Sequence, residues 1–153
     1  MNEVTRNSSS LVGIDGQRKF AEKLQQILTP LPQLQMQSRH HFAGGIYCRE
    51  LHMPAGSVAV GKVHKTDHFF MVVQGMMRIT TQDGVRDVTG PEVIVGPIGT
   101  KRVVLALTDS ICMNIHKTAS TDLNEIEKEL VEEDETALFD SANLLKNAAL
   151  EHK

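Results

Sequence analysis

Two histidines four residues apart, His64 and His68, stand in the stretch GSVAVGKVHKTDHFFMVVQG, residues 56–75. Imidazole nitrogen is a good ligand for divalent transition metals, with Zn, Fe, Ni and Mn the candidates here. A catalytic metal centre takes three protein ligands and keeps one position open. His116, on a later strand-like run, is the candidate third ligand for a set of His64, His68 and His116. Lys62 precedes His64 by two residues and shares its face, because side chains on a strand alternate. It would set a cation beside any such metal. Acid–base chemistry by His64 or His68 is the other option for these imidazoles, with Asp67 the nearby carboxylate.

Strands must position these groups. Residues 57–63 alternate around small and apolar side chains, and residues 68–74 are aromatic and β-branched, which fits half-buried strands. Gly56 and Gly75 punctuate the ends. The short Lys65-Thr66-Asp67 connection returns the chain so that His68 can face the same interior. Further along, MRITT and VRDVT flank Gln82-Asp83-Gly84, a strong hairpin signal. EVIV, RVVLALT and SICMNIH supply more strands, with Thr108-Asp109-Ser110 as a turn.

Residues 33–53 alternate loosely and carry His40, His41 and His52, read as surface or strand-edge histidines; at most one of His40 and His41 can face a pocket. Helices flank the strands. One is expected from Asp15, as N-cap, to just before Pro30, with Phe20, Leu24, Ile27 and Leu28 as an apolar stripe packed on the outside of the strands. After His116 the period changes to 3.6: Thr121 or Asp122 can cap a helix carrying Leu123, Ile126, Leu130 and Val131. The acidic run from Glu125 to Glu135 reads as a solvated face, and residues 136–150 are again helix-prone through Leu138, Leu145 and Ala149. Residues 1–14 are polar and read as flexible.

A chain of 153 residues, 41% hydrophobic and 23% charged, suits a single domain with a real core. Its formal charge of -3 argues against general nucleic-acid binding. Cys48 and Cys112 lie in apolar runs without CxxC spacing, which fits small buried hydrophobes in a reducing compartment better than a disulfide. No apolar stretch approaches the ~18–20 residues needed to span a bilayer, and residues 1–13 have no apolar signal region. The cytoplasm is the expected location. The sequence holds no G-x-x-x-x-G-K-[ST] loop, no G-x-G-x-x-G fingerprint and no legible Ser-His-Asp set.

The central stretch resembles the first motif of the cupin superfamily of small β-barrel proteins. Gly56, Lys62, His64, His68 and Gly75 fall, without a gap, at that motif's glycine, two histidines, glutamate and closing glycine. PEVIVGPIGTKR is similar to the second motif: Pro97, Gly99 and Arg102 match its Pro, Gly and His, and Pro91 replaces its first Gly. Of the metal-binding letters only His64 is retained, so the resemblance speaks more for the barrel than for the metal. Over residues 33–132 the chain is similar to small cupin-like proteins of tailed bacteriophages and prophages. The clusters His40-His41-Phe42, Gly61-Lys62-x-His64-Lys65-Thr66-Asp67-His68 and Gly99-Thr100-Lys101-Arg102 carry that likeness.

The resemblance implies a mainly all-β fold, a cupin-type β-barrel or jelly roll, to which the helical periodicity adds an N-terminal helix and a helical C-terminal tail. It divides the chain into an N-terminal part (1–32), a barrel (33–118) and a tail (119–153), and implies a homodimer or higher homo-oligomer, in host cytoplasm if phage-encoded. It also places Lys62, His64, His68 and Arg102 where cupins hold inward-facing ligands. Several cationic groups turned into an apolar barrel need a negative partner. The favoured reading is therefore a non-catalytic binder of a small anionic molecule: a phosphorylated sugar, a nucleotide or an organic acid. One use would be sequestration of a host signalling nucleotide. The alternatives are a metal-dependent isomerase or dioxygenase using His64 and His68, and an assembly protein with a vestigial pocket. The plain structural alternative pairs Arg102 with Glu50, Asp67 or Glu92. Lys65 and Lys101 are expected to point outward by strand parity.

Overall fold

Alternation of apolar and polar residues sets up two antiparallel sheets that face each other across one interior. The computed structural model describes residues 13–146. A helix, α1 (Ile14–Leu28), precedes nine strands: β1 (Gln37–Ala43), β2 (Ile46–Met53), β3 (Val58–Val60), β4 (His68–Gln74), β5 (Met76–Thr81), β6 (Gly84–Thr89), β7 (Glu92–Gly96), β8 (Val103–Ala106) and β9 (Ser110–Lys117). A short helix, α2 (Leu123–Leu130), follows. One sheet runs β1-β2-β9-β4-β7 and the other β3-β8-β5-β6. This is the barrel that the strand pattern predicts. No helix among the described residues is long and apolar enough to cross a membrane.

The core fills the end of the barrel away from the histidines. Phe70, Val72, Met53 and Cys112 from one sheet meet Met77, Ile79, Val88 and Val104 from the other, all nearly inaccessible. The thiols of Cys48 and Cys112 are free, and Cys112 acts as a small apolar side chain in this cluster. A second cluster, Tyr47 with Ile126 and Leu130, seats α2 over the other end.

Particular residues fix the joints. Thr81 pairs with Gly84, closing the expected hairpin on Gln82-Asp83. Asp122, not Thr121, caps α2: its carboxylate accepts from the Asn124 and Glu125 amides at 2.9 and 3.0 Å. The strand expected over 57–63 is regular only at Val58–Val60, and Gly61 to Val63 run irregularly to an isolated bridge between His64 and Val131.

Three expectations are corrected. Helix α1 starts at Ile14 behind Gly13, with Asp15 inside its first turn. Its buried face is Gln17, Ala21 and Gln25, while Ile27 is 56% exposed. The stripe from Phe20 to Leu28 loses because the face it meets is polar: Gln25 Nε2 donates to Thr136 Oγ1 (3.0 Å) and Asp134 (3.3 Å). Finally, residues 136–146 form turns and an isolated Phe139–Leu145 bridge, not a helix. Asp134 and Asp140 each accept amides two residues on, which favours turns over helix. Ala149 and the rest of that expected helix lie outside the described residues.

Gly56 and Gly75 both have positive φ, but a Cβ at Gly56 meets nothing, while one at Gly75 falls 2.3 Å from Ser110 Oγ and 2.5 Å from Asp109 O. Gly56→Ala is therefore expected to cost about 1 kcal/mol from backbone strain. Gly75→Ala should cost at least about twice that, because the β4–β5 turn must also part from β9. Urea denaturation of the two variants checks the order; equal costs contradict the close packing.

Candidate functional site

Register across the five-stranded sheet stacks its inward side chains in rows. One row runs Arg49, Asn114, Phe70, Ile94, and the row toward the core runs Leu51, Cys112, Val72, Glu92. Toward α2, Tyr47 pairs with His116 and His68 with Gly96. The interior thus grades from apolar to histidine-lined within a few residues of each strand. It holds a cavity of about 190 Å³, lined by Arg49, Lys62, His64, Arg102, Asn114 and His116 among others.

Lys62 and His64 both line this cavity, although residues 61–63 are not strand and no alternation governs them. His64 is held by its backbone: its amide donates to Thr100 O (2.9 Å) and its carbonyl accepts from Gly99 N (2.8 Å). The three sequence-predicted histidines come together, buried, with one nitrogen from each lying within 4.8 Å of the others. They could hold a metal ion. His64 stacks on His68 with centroids 3.8 Å apart and planes at 17°. Planes so placed meet roughly 12 Å away (3.8 Å divided by the tangent of 17°), whereas a metal bonded at ~2.1 Å sits roughly 3 Å from the ring centre. One ion therefore cannot lie in both planes as they stand, and a three-histidine site requires one ring to turn.

Arg102 reaches into the same layer. It is 6% exposed and its guanidinium lies 4.4 Å over the Phe70 ring. One terminal nitrogen donates to Asn114 Oδ1 at 3.4 Å and the other faces His68 Nε2 at 3.2 Å. Since guanidinium only donates, His68 Nε2 accepts and its Nδ1–H donates to Thr66 O (3.2 Å). The Glu50, Asp67 and Glu92 partners considered for Arg102 are engaged elsewhere. Glu50 meets His41 and His52, Asp67 accepts from Ile98 N, and Glu92 pairs with Arg86. Among the described residues no carboxylate pairs with Arg102.

Lys62 does not stand free: its ammonium pairs with Glu127 of α2. Lys101 is corrected outright. It is 4% exposed and bonds Asp134 Oδ2 at 3.4 Å, because the chain after α2 folds back over it. Lys65 is exposed and donates to Lys128 O. His41 and His52 lie at the surface with Glu50, and His40 Nδ1 meets Tyr47 OH at 2.7 Å.

The sequence reading missed five contributors. Arg49 lines the cavity from β2, and Asn114 and Phe70 hold Arg102. At Gly96 a Cβ would fall 2.4 Å from His68 Nε2 and 2.8 Å from an Arg102 nitrogen, so only glycine leaves room for that pair. The last is the segment 131–146, which folds over the cavity and contributes Leu138, Phe139 and Asp140 to its wall. The signal for Arg49 was present: it shares strand parity with Tyr47, Leu51 and Met53.

Burial, reinforced by neighbouring positive charge, holds all three histidines neutral: His64 falls to about 2, His116 to about 3 and His68 to about 4. Burial also lowers Arg102 to about 10 and Lys62 to about 8, so Arg102 stays charged at neutral pH. Nδ1 of His64 and of His116 is buried with no hydrogen-bond partner.

No protein-family model matches the sequence, and no curated protein is matched by it. Among solved structures the chain is similar to KdgF from Halomonas sp., at 18% identity over 60% of this chain and 87% of that one, TM-score 0.51. It is also similar to a cupin superfamily protein from Desulfitobacterium hafniense (16% identity, 60% and 87% covered, TM-score 0.49). An acetylacetone dioxygenase from Acinetobacter johnsonii gives 14% identity, 54% and 59% covered, TM-score 0.46. At 18% identity what this chain shares with KdgF is a fold, a β-barrel of antiparallel sheets.

The neutral histidines fix a pH response. Their folded pKa values lie below the unfolded ~6.5, so below that pH the unfolded chain binds more protons and stability falls on acidification. The contribution is complete above roughly pH 6.5 and is lost at up to about 1.4 kcal/mol per pH unit for each histidine as the pH approaches 4. Melting temperature measured between roughly pH 7 and 4.5 should drop, and His64→Gln should flatten the drop. A flat profile in the unsubstituted protein contradicts three buried neutral imidazoles.

Proposed function

We propose that the protein is a non-catalytic binder of a small anionic molecule, with Lys62, His64, His68 and Arg102 around the ligand. The observation that carries this reading is the buried Arg102 guanidinium, which has no carboxylate partner among the described residues. A desolvated cation without a counter-charge is costly, and a planar fork suits a carboxylate or phosphate. Lys62 contributes its charge only in part, being paired with Glu127. Size selects within the class. An apolar cavity of ~150 Å³ takes up benzene, so about 190 Å³ suits a small organic acid. A phosphorylated sugar or a nucleotide needs the 131–146 segment to move. Such a binder would act in an infected or lysogenic cell, as the resemblance to phage proteins implies, and would sequester a host molecule there.

A second reading rests on the unpartnered Nδ1 atoms of His64 and His116. Bound by these two, and by His68 once a ring turns, Zn, Fe, Ni or Mn would supply Lewis acidity for an isomerase or dioxygenase. One set of samples separates the readings. At a hundredfold excess over its Kd, a small organic acid should stabilise the protein by about 2.7 kcal/mol, or roughly 5–10 °C, with no metal present. Arg102→Met should abolish the shift. Near-stoichiometric metal in protein purified without a chelating column, lost in His64→Ala, would instead favour the enzyme.

Homodimer formation has its own support. Antiparallel sheets normally carry polar residues on the solvent face. Here two outward rows, His41-Cys48-Ile115-Phe69-Val95 and Arg39-Glu50-Met113-Met71-Val93, are apolar from β9 through β4 to β7, with Val95 64% and Phe69 48% exposed. A second copy packed sheet on sheet covers them. Sedimentation should show a dimer, and Val95→Glu a folded monomer; a monomer at every concentration tested in the unsubstituted protein rules the interface out.

A further inference from the structure

The cavity holds a second arginine that no sequence motif marks. Arg49 faces inward on β2, directly opposite Asn114 of β9, and Asn114 is the residue to which Arg102 donates. Residues opposed in this way have Cβ atoms about 5 Å apart. Arg49 thus leaves the sheet beside Asn114, and Arg102 reaches the same asparagine from across the barrel. Each is only partly engaged. Arg49 donates from Nε to Tyr47 OH (3.2 Å) and from a terminal nitrogen to Ser141 O (3.3 Å). Arg102 donates to Asn114 and His68. With five N–H groups apiece, each keeps three donors that have no acceptor among the described residues.

Of the carboxylates that share the cavity wall, Glu127 pairs with Lys62 and Asp134 with Lys101. One oxygen of Asp140 accepts the amides of Ala142 and Leu144, at 3.0 and 2.9 Å, and the other has no hydrogen bond among the described residues. None of the three pairs with either arginine, so two guanidinium groups without a carboxylate partner among the described residues face one small, partly apolar space, which Phe70, Met53 and Cys112 also line. A ligand with one negative charge neutralises one of them. A phosphate monoester carries two charges, but on a single head. A short dicarboxylate carries its charges on two separate heads, each matched to a planar fork. With eight to ten non-hydrogen atoms, succinate, glutarate or adipate is also somewhat larger than benzene, the scale that this volume sets.

We infer that the ligand is a small dicarboxylate, held at one carboxylate by Arg102 and at the other by Arg49. The inference rests on the reading of this cavity as an anion site and adds the ligand class and the second anchor. It also ties the ligand to the segment 131–146, since Arg49 holds that segment through the Ser141 carbonyl.

Calorimetric titration of the full chain tests it, using succinate, glutarate and adipate against pentanoate and inorganic phosphate. At least one diacid should bind about tenfold or more tightly than pentanoate, the scale of an added charge-assisted contact. Arg49→Met should remove that preference, weakening the diacid more than pentanoate, and Arg49→Lys should keep part of it. Arg102→Met should weaken every acid. If Arg49→Met lowers the melting temperature without ligand, the diacid-to-monoacid ratio in the unsubstituted protein and in Arg49→Lys decides alone. Equal binding of diacid and monoacid, or phosphate binding more tightly than any diacid, overturns the inference and leaves the anion site standing. No binding by any of the five overturns both.

Discussion

One buried charge organises the interior. Arg102 leaves the chain just before β8, crosses the barrel and ends over Phe70 on the opposite sheet. Every neighbour is arranged around that crossing. Phe70 offers its ring face, Asn114 its carbonyl and His68 a nitrogen lone pair. Gly96 gives up its side chain so that imidazole and guanidinium can meet. A guanidinium is more weakly hydrated than an ammonium and spreads its charge over a plane, so arginine tolerates this burial where lysine would lose its proton. The same charge, added to burial, helps to keep His64, His68 and His116 neutral.

The neutral imidazoles stack because they are neutral. Three imidazolium rings with centroids between 3.8 and 5.3 Å apart would repel strongly in an interior with little water. Neutral rings pack like any flat side chain, and the Tyr47 ring lies nearly parallel to His116 with centroids 6.3 Å apart. The cost is polar. Two Nδ1 atoms are left without partners, and such atoms mark either a ligand's place or a stability reserve given up. The segment 131–146 then lies across this layer, held by polar contacts to Gln25, Gln35 and Arg49, side chains from outside the segment. A cover fastened by polar contacts opens more readily than one fastened by a core.

Most of the barrel was legible in the sequence. Period-two alternation, the Asp83-Gly84 turn and the spacing of Gly56, His64, His68 and Gly75 locate strands, because each of these signals is local. Pairing partners are not local, and they account for what was misread. Glu127 lies 65 residues from Lys62, and Asp134 lies 33 residues from Lys101. Nothing near either lysine announces its carboxylate. For Lys101, parity failed because residues 97–102 are not strand, so no alternation governs that side chain. Helix α1 shows the reverse error. Its apolar stripe is real, but the surface it meets offers Asp134 and Thr136, and glutamines win that face. Residues 136–146 carry helix-forming letters, yet aspartates that bond amides two residues ahead divert the backbone into turns. Arg49 was hidden differently: a charged residue at an inward position looks like a pattern error until the opposite strand is known.

The anion reading and the metal reading are linked through Arg102. Positive charge on the guanidinium opposes a metal ion at the histidines for the reason that it opposes their protonation. An anion seated on Arg102 cancels much of that field and frees His68 Nε2 if the guanidinium turns to its new partner. A first ligand that is negative would therefore raise the affinity of the histidine cluster for a cation. By linkage, a cation at the cluster would raise the affinity for the anion by the same factor. An empty Arg102 and an occupied metal site is the least favourable combination, because it sets two uncompensated charges in one low-dielectric space. The order of events that the interior favours is anion first. A metal, where one binds at all, would then enter a site whose charge the anion has already balanced.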